Sequence, residues 1–375
     1  MKKINLGLIV IFVFLAVLTF TKTAQAATAW KPATPDGYTP ITWAKAPGIA
    51  SYFKAPSNNG SLDFITRIYL PQNQIGFITS SSAPLDWGTA TSDFVPEILT
   101  PGLVVSDAET TTSSIINSTP TSSFHNYAFA RVVAEASKAT APKVQFIWNG
   151  PFFNITDVTS DLSLALKSTV GTTTLISSGS RPAFDMAQDR NMLIINNQTG
   201  KAAISSFDPV VFVSSSAGDQ AIEGFAPTVQ KIDSASGATA RLFIGVSTSS
   251  KELVIYCSQQ ATIGEASDAL LAAGIPPERQ LEADGGGSAS CGYNLPGQFF
   301  VEPNRTLPLL MGAATILARG TATTKDMNVR SGPSTKKSIV KKLSKGEPVI
   351  IYEEKSGWYR IGDGQWVLKT LIKKI

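Results

Sequence analysis

The chain has 375 residues, 43% of them hydrophobic and 16% charged, enough to bury a sizeable core divided over two or more domains. A single histidine and two cysteines argue against a zinc site, and a Ser-His-Asp triad would depend on His125 alone, with no Gly-x-Ser-x-Gly turn around any serine. The formal charge of +4 conceals an asymmetry: residues 1–26 carry +3, residues 27–320 carry −6 and residues 321–375 carry +7, so each part needs its own partner argument.

Lys2 and Lys3 precede an apolar run from Ile4 to Phe20, and Ala24-Gln25-Ala26 supplies small residues for cleavage, the pattern of a secretory signal peptide over 1–26. An uncleaved anchor is the alternative, but the run is short for a bilayer span. The expectation is a secreted or cell-wall-associated chain with no membrane anchor after cleavage. Residues 27–60 are rich in Pro, Ala, Ser and Gly and read as an irregular, loosely packed segment. Residues 64–70 read as a strand, so a large domain is expected over 61–318.

Within that domain, 242–246 and 253–257 are strand-like. Thr262 and Glu265 have the spacing of a capping box, Ala266, Ala269, Leu270 and Ala273 form an apolar stripe, and Gly274 and Pro276 end the helix they predict. In Arg279-Gln280-Leu281-Glu282-Ala283-Asp284 the period of two points Leu281 and Ala283 to one face and Glu282 and Asp284 to the other. Gly285-Gly286-Gly287-Ser288 follows, a loop whose backbone amides can approach an anionic oxygen closely. A glycine-rich turn with solvated carboxylates is the plainer reading of the same spacing. The order strand, strand, helix, strand, glycine loop predicts an α+β domain with a mixed sheet and flanking helices, with Asp284 at a strand end. The glycine loop lacks the P-loop and dinucleotide signatures, so nucleotide cofactors find no support.

Three further segments accompany the glycine loop: Trp148-Asn149-Gly150-Pro151-Phe152-Phe153, Ser180-Arg181-Pro182-Ala183 and Arg241-Leu242-Phe243-Ile244-Gly245-Val246. With Asp284-Gly285-Gly286-Gly287-Ser288 they resemble, in the same order, the motifs of the phosphodiester glycosidase family, over roughly residues 140 to 318. Pro151 stands where that family usually has a second glycine. The resemblance implies hydrolysis of sugar 1-phosphodiesters, with a sugar-phosphate glycan as substrate. Asp284 or Glu282 would act at the anomeric carbon, Asn149 would hold sugar hydroxyls, and Gly150, Phe152 and Phe153 would shape the wall. Arg181 and Arg241, with the amides of Gly285, Gly286 and Gly287 and the Ser288 hydroxyl, would hold phosphate; pairing of either arginine with a neighbouring carboxylate is the alternative. A phosphate leaving group already carries its charge stably, which lowers the need for a strong general acid. No cofactor is implied, and a calcium ion at the acidic loop stays open. In an oxidising exterior Cys257 and Cys291 are expected to pair, the alternative being two buried thiols.

Residues 319–324 are polar and read as a linker. Beyond them, the Asn328-Val329-Arg330-Ser331-Gly332-Pro333 opening, alternating strands and the segments around Trp358 and Trp366 resemble a bacterial SH3 domain over 325–375, a small all-β SH3-like barrel. Its tryptophans are expected to pack the core. A charge of +7 suits an anionic cell-wall polymer, and nucleic acid is not an expected partner outside the cell. Two readings result: a secreted hydrolase carried to the wall, or a non-catalytic wall-glycan-binding protein.

Overall fold

The structure is a computed structural model describing residues 30–43, 46–55, 61–78, 144–150, 164–169, 172–177, 190–207, 219–227, 237–293, 299–303 and 310–375. The elements below belong to one unit, Pro32–Ile375. The signal-peptide segment, His125, Phe152, Phe153 and Arg181 lie outside the described residues.

An 11-stranded sheet has Thr239–Val246 near its middle, flanked by Glu252–Ala261 and Gln280–Gly285. On one side it continues through Asp63–Tyr69 and Ile49–Lys54; on the other, Asp219–Phe225 pairs with Gln280–Gly285. A five-stranded sheet, in the order Phe299–Val301, Cys291–Tyr293, Val144–Asn149, Leu310–Thr315, Asn73–Ile78, packs against it. Ile68, Leu242, Ile244, Ile255, Leu281 and Ala283 from the large sheet meet Phe146, Trp148, Met311 and Tyr293 from the smaller one in a single apolar layer. Strand alternation sends Phe243, Val254 and Tyr256 to the opposite face, where they are covered by Ala266, Ala269 and Leu270. The central strands are therefore buried on both faces.

Those last residues belong to Ile263–Ala272, the one α-helix among the described residues, with the expected capping box between Thr262 and Glu265 and Gly274 at φ +82° just beyond. All described strand pairings are antiparallel. The expectation of an α+β domain with a mixed sheet and flanking helices is thus overturned in favour of a predominantly β architecture. The physical reason lies in the helix itself. It joins Glu252–Ala261 to Gln280–Gly285, which run in the same direction, but Thr239–Val246 lies between them and makes both contacts antiparallel.

The N-terminal segment also departs from expectation. Ile49–Lys54 is a strand paired with Asp63–Tyr69, and Tyr38, Ile49 and Tyr52 are core residues. At the other end, Met327–Arg330, Ile339–Leu343, Trp358–Gly362, Gln365–Leu368 and neighbouring strands enclose Met327, Val329, Leu343, Ile351, Tyr359 and Val367. Trp358 and Trp366 are buried.

The segment read as a polar linker holds a strand, Ala318–Ala322, which pairs with Pro348–Ile351 and Ile372–Lys374. From it Arg319, 6% exposed, reaches back into the large body. Its Nε donates to Asn197 O at 2.6 Å, Nη1 to Pro71 O at 2.7 Å, and Nη2 to Leu70 O at 2.8 Å and Asn73 O at 2.9 Å. Burial pulls its pKa down to about 10, which leaves it charged at neutral pH. Gly200, at φ +64°, makes room for it: a Cβ there would meet Arg319 Cζ at 3.0 Å. Tyr352 Oη, donating to Gln74 Oε1 at 2.6 Å, adds a second contact between barrel and body.

Candidate functional site

The Gln280–Gly285 strand is positioned before its end carries any chemistry. Gln280 is fully buried, donates to Ser267 O and Ile275 O, and accepts from Ser267 Oγ at 2.7 Å, tying the strand to the helix. Leu281 and Ala283 pack into the layer between the sheets. Then the register slips: Phe243 faces Glu282, its neighbour Leu242 faces Asp284, and Ala283 is the extra residue of a β-bulge.

That bulge separates the two carboxylates. Neighbouring residues of Thr239–Val246 point to opposite faces, so Asp284 shares the face of Leu242, toward the smaller sheet, and Glu282 the face of Phe243, toward the helix. Strict alternation had placed them together. Glu282, 1% exposed, takes Arg241 Nη1 on Oε1 at 2.6 Å, and Arg241, 2% exposed, also donates from Nε to Ala261 O at 3.3 Å. Both charged groups are engaged in a buried ion pair. Gly285 is close to it, since a Cβ there would meet Arg241 Nη1 at 3.2 Å and Glu282 Oε1 at 3.4 Å.

Asp284 meets a different partner. Its Oδ2 accepts a hydrogen bond from Asn149 Nδ2, and its Oδ1 accepts from the Gly285 amide at 2.7 Å. Asn149 comes from the Val144–Asn149 strand of the smaller sheet, 135 residues earlier. The amide orientation is fixed by Ser290: Asn149 Oδ1 accepts from Ser290 N at 2.9 Å, and Asn149 N donates to Ser290 O at 3.1 Å, so Nδ2 is the atom left facing Asp284. Ser290 was not singled out from the sequence, because its contribution is through the backbone and leaves no side-chain signature. Its Oγ and the neighbouring Trp148 Nε1 are buried without a hydrogen-bond partner among the described residues. Beyond Asp284 the chain turns through Gly286–Ser288, with Gly286 at φ +69°; Gly285, Gly286 and Gly287 are half-buried and Ser288 is buried. Gly150 is buried, and its carbonyl accepts from Asn149 Nδ2 at 3.3 Å.

A disulfide staples this contact. Cys257 lies opposite Leu242, which lies opposite Asp284; Cys291 lies opposite Trp148 and next to Ser290. The Cys257–Cys291 bond, with Cα atoms 6.5 Å apart, therefore joins the two sheets beside the Asn149–Asp284 pair. Among the described residues no three His, Cys, Asp or Glu side chains converge to hold a metal ion.

Among solved structures, the chain is similar to a hypothetical protein from Synechocystis, at 11% identity and TM-score 0.36 over 76% of this chain, and it spans 64% of that protein's length. It is also similar to the zebrafish N-acetylglucosamine-1-phosphodiester alpha-N-acetylglucosaminidase catalytic domain auto-inhibited by its pro-peptide, at 12% identity and TM-score 0.40, over 71% of this chain and 83% of that one. A putative exported protein from Burkholderia pseudomallei is similar at 9% identity and TM-score 0.32, over 70% and 74% of the two chains. No curated protein matches the chain. Residues 325–373 match the family described as Bacterial SH3 domain, and the chain carries that domain at its C-terminal end.

Proposed function

We propose that the chain is an extracellular hydrolase that cleaves the glycosidic bond of sugar 1-phosphodiesters in cell-wall or extracellular polysaccharide, with its bacterial SH3 domain binding wall material. The observation that carries this reading is the hydrogen bond between Asn149 and Asp284, which joins two segments that separately resemble motifs of one glycosidase family. In this reading Asp284 is the group that acts at the anomeric carbon, as nucleophile or base, and its negative charge stabilises the oxocarbenium-like transition state. Asn149 orients that carboxylate and contacts the sugar. Glu282 holds Arg241 instead of acting on substrate, so among the described residues Asp284 is the carboxylate left for the chemistry, with a leaving group that needs little protonation. Arg181 and the amides of the glycine loop are the groups proposed to receive the phosphate.

The test is turnover of a panel of sugar 1-phosphodiesters by the purified protein, wild type against Asp284→Asn. That change preserves volume but removes the charge and one of the two acceptors used by Asn149 and Gly285, so a loss of at least about 100-fold in kcat is expected in a protein that stays folded with a lowered melting temperature. Full activity of the variant would exclude Asp284 from the reaction. The engagement of Glu282 by Arg241, which among the described residues leaves no second carboxylate beside Asp284, favours the alternative of a non-catalytic glycan-binding protein. Saturable binding of the same compounds without turnover would establish it.

A further inference from the structure

The positive charge of the C-terminal barrel is not spread over it. Residues 325–345 carry seven basic side chains and one acidic, whereas residues 346–375 carry five basic and four acidic. In the second stretch the charges compensate: Arg360 pairs with Glu353 at 2.9 Å, and Lys369 pairs with Glu354. In the first, Lys336, Lys337, Lys341 and Lys342 are exposed, and no ion pair engages them among the described residues.

These four lysines lie on one hairpin, formed by Met327–Arg330 and Ile339–Leu343, and the second of these strands is the edge of its sheet. The connection is ordered by its own hydrogen bonds. Ser331 N donates to Ser338 O at 2.9 Å, Lys337 N to Ser334 O at 3.1 Å, Lys336 N to Ser334 Oγ at 3.2 Å, and Arg330 Nη1 to Lys337 O at 2.7 Å. Ile339 and Val340, each 49% exposed, lie between the two lysine pairs. Lysines on an edge strand also deter pairing with another strand. That role does not require five net charges on a single hairpin, Arg330, Lys336, Lys337, Lys341 and Lys342.

We infer that this hairpin edge is the surface on which the barrel binds a polymer with regularly repeated phosphodiester groups, of the polyol-phosphate or sugar-phosphate kind. The inference deepens, and rests on, the wall-binding part of the proposed function. The charge complements a polyanion, the ordered turn lowers the entropy lost on binding, and the exposed Ile339 and Val340 offer apolar surface to the carbon skeleton between phosphates. Single-stranded nucleic acid, the other common polyanion, is held largely by bases stacked on aromatic side chains, and residues 325–345 contain no Phe, Tyr or Trp.

The experiment measures binding of the full chain to soluble poly(glycerol phosphate), to uncharged dextran and to single-stranded DNA. Three proteins are compared: wild type, Lys336→Gln/Lys337→Gln/Lys341→Gln/Lys342→Gln, and Lys355→Gln/Lys369→Gln/Lys373→Gln/Lys374→Gln, which removes equal charge elsewhere on the barrel. With about 0.7 counterions released per phosphate contact, four contacts predict that a fourfold rise in salt weakens wild-type binding by about 50-fold. The hairpin variant should bind at least about tenfold more weakly at low salt and lose most of the salt dependence, while the other variant stays within about threefold of wild type. Equal losses in the two variants would mean diffuse attraction and overturn the assignment. Wild-type binding to dextran as tight as to the phosphate polymer, tighter binding to DNA, or no binding to the phosphate polymer would overturn it as well. Turnover of a small sugar 1-phosphodiester, followed in parallel, separates the two ideas: its absence counts against the hydrolase reading and leaves the polymer measurement intact.

Discussion

Replacing Arg319 by leucine tests whether the barrel is a tethered module or a fixed part of the body. The guanidinium holds four backbone carbonyls of the large body from a strand of the barrel. Hydrogen bonds to a charged group contribute about 1.5–3 kcal/mol each, so four bonds set an upper bound of roughly 6–12 kcal/mol. Two effects reduce the net loss. Burying a leucine side chain returns about 2 kcal/mol, and water entering a boundary position can satisfy some of the freed carbonyls. A loss of about 3–5 kcal/mol is expected, comparable to breaking a buried ion pair, with a fall in melting temperature on the order of 10 °C. Urea unfolding should be followed by far-ultraviolet circular dichroism and by tryptophan fluorescence, since Trp358 and Trp366 report on the barrel and Trp148 on the body. The wild type should give coincident transitions and Arg319→Leu separated ones, with the barrel uncoupled. Arg319→Lys, which keeps the charge but not the planar fork, should fall between them. A loss under about 1 kcal/mol with coincident transitions would show that the four bonds do not hold the barrel in place.

Other outcomes follow from the same structure. Glu282→Gln should destabilise by about 3–5 kcal/mol because it takes the carboxylate from a buried arginine, whereas Arg241→Met/Glu282→Leu should be close to neutral; equal losses in urea melts would contradict this. Reducing the Cys257–Cys291 bond, which closes a loop with a sequence separation of 34, should lower stability by about 3–4 kcal/mol; unchanged unfolding with and without reductant would oppose it. Asn149→Asp places a second carboxyl against Asp284 and should lower turnover at least tenfold, while Ser290→Ala, which keeps the backbone bonds to Asn149, should preserve it within about threefold; the reverse order would remove Asn149 from the orienting role. Burial raises the pKa of Tyr293 to about 12 and also raises those of Tyr38, Tyr52, Tyr256 and Tyr352. Their folded forms hold protons more tightly than the unfolded chain, so the stability they contribute is full below about pH 10 and is lost as pH rises toward 12. Arg319, shifted downward, acts in the opposite sense but is one group against five. Denaturation midpoints that rise between pH 9.5 and 11.5 would contradict this balance.

The local chemistry of residues 262–276 determined a helix by itself, because caps, apolar stripe and terminating glycine are near-neighbour effects written within a few turns. The C-terminal barrel was legible for a similar reason: its turns and its Trp358 and Trp366 strands lie in one continuous stretch. Strand alternation likewise marked Leu281 and Ala283 as core. It failed at the next residue, since a bulge inserts one position without a distinctive local sequence, and only pairing with Leu242 and Phe243 shows that Glu282 and Asp284 face opposite ways. Arg319 read as a linker residue because its four acceptors come from residues 70–73 and from Asn197, more than 100 positions away. Ile49–Lys54 read as irregular because its Pro- and Gly-rich flanks masked a strand that forms by pairing with Asp63–Tyr69. Motif reading named Asn149 and Asp284 separately. Their hydrogen bond, and the backbone of Ser290 that aims the amide, exist only because two sheets fold face to face across a shared apolar layer.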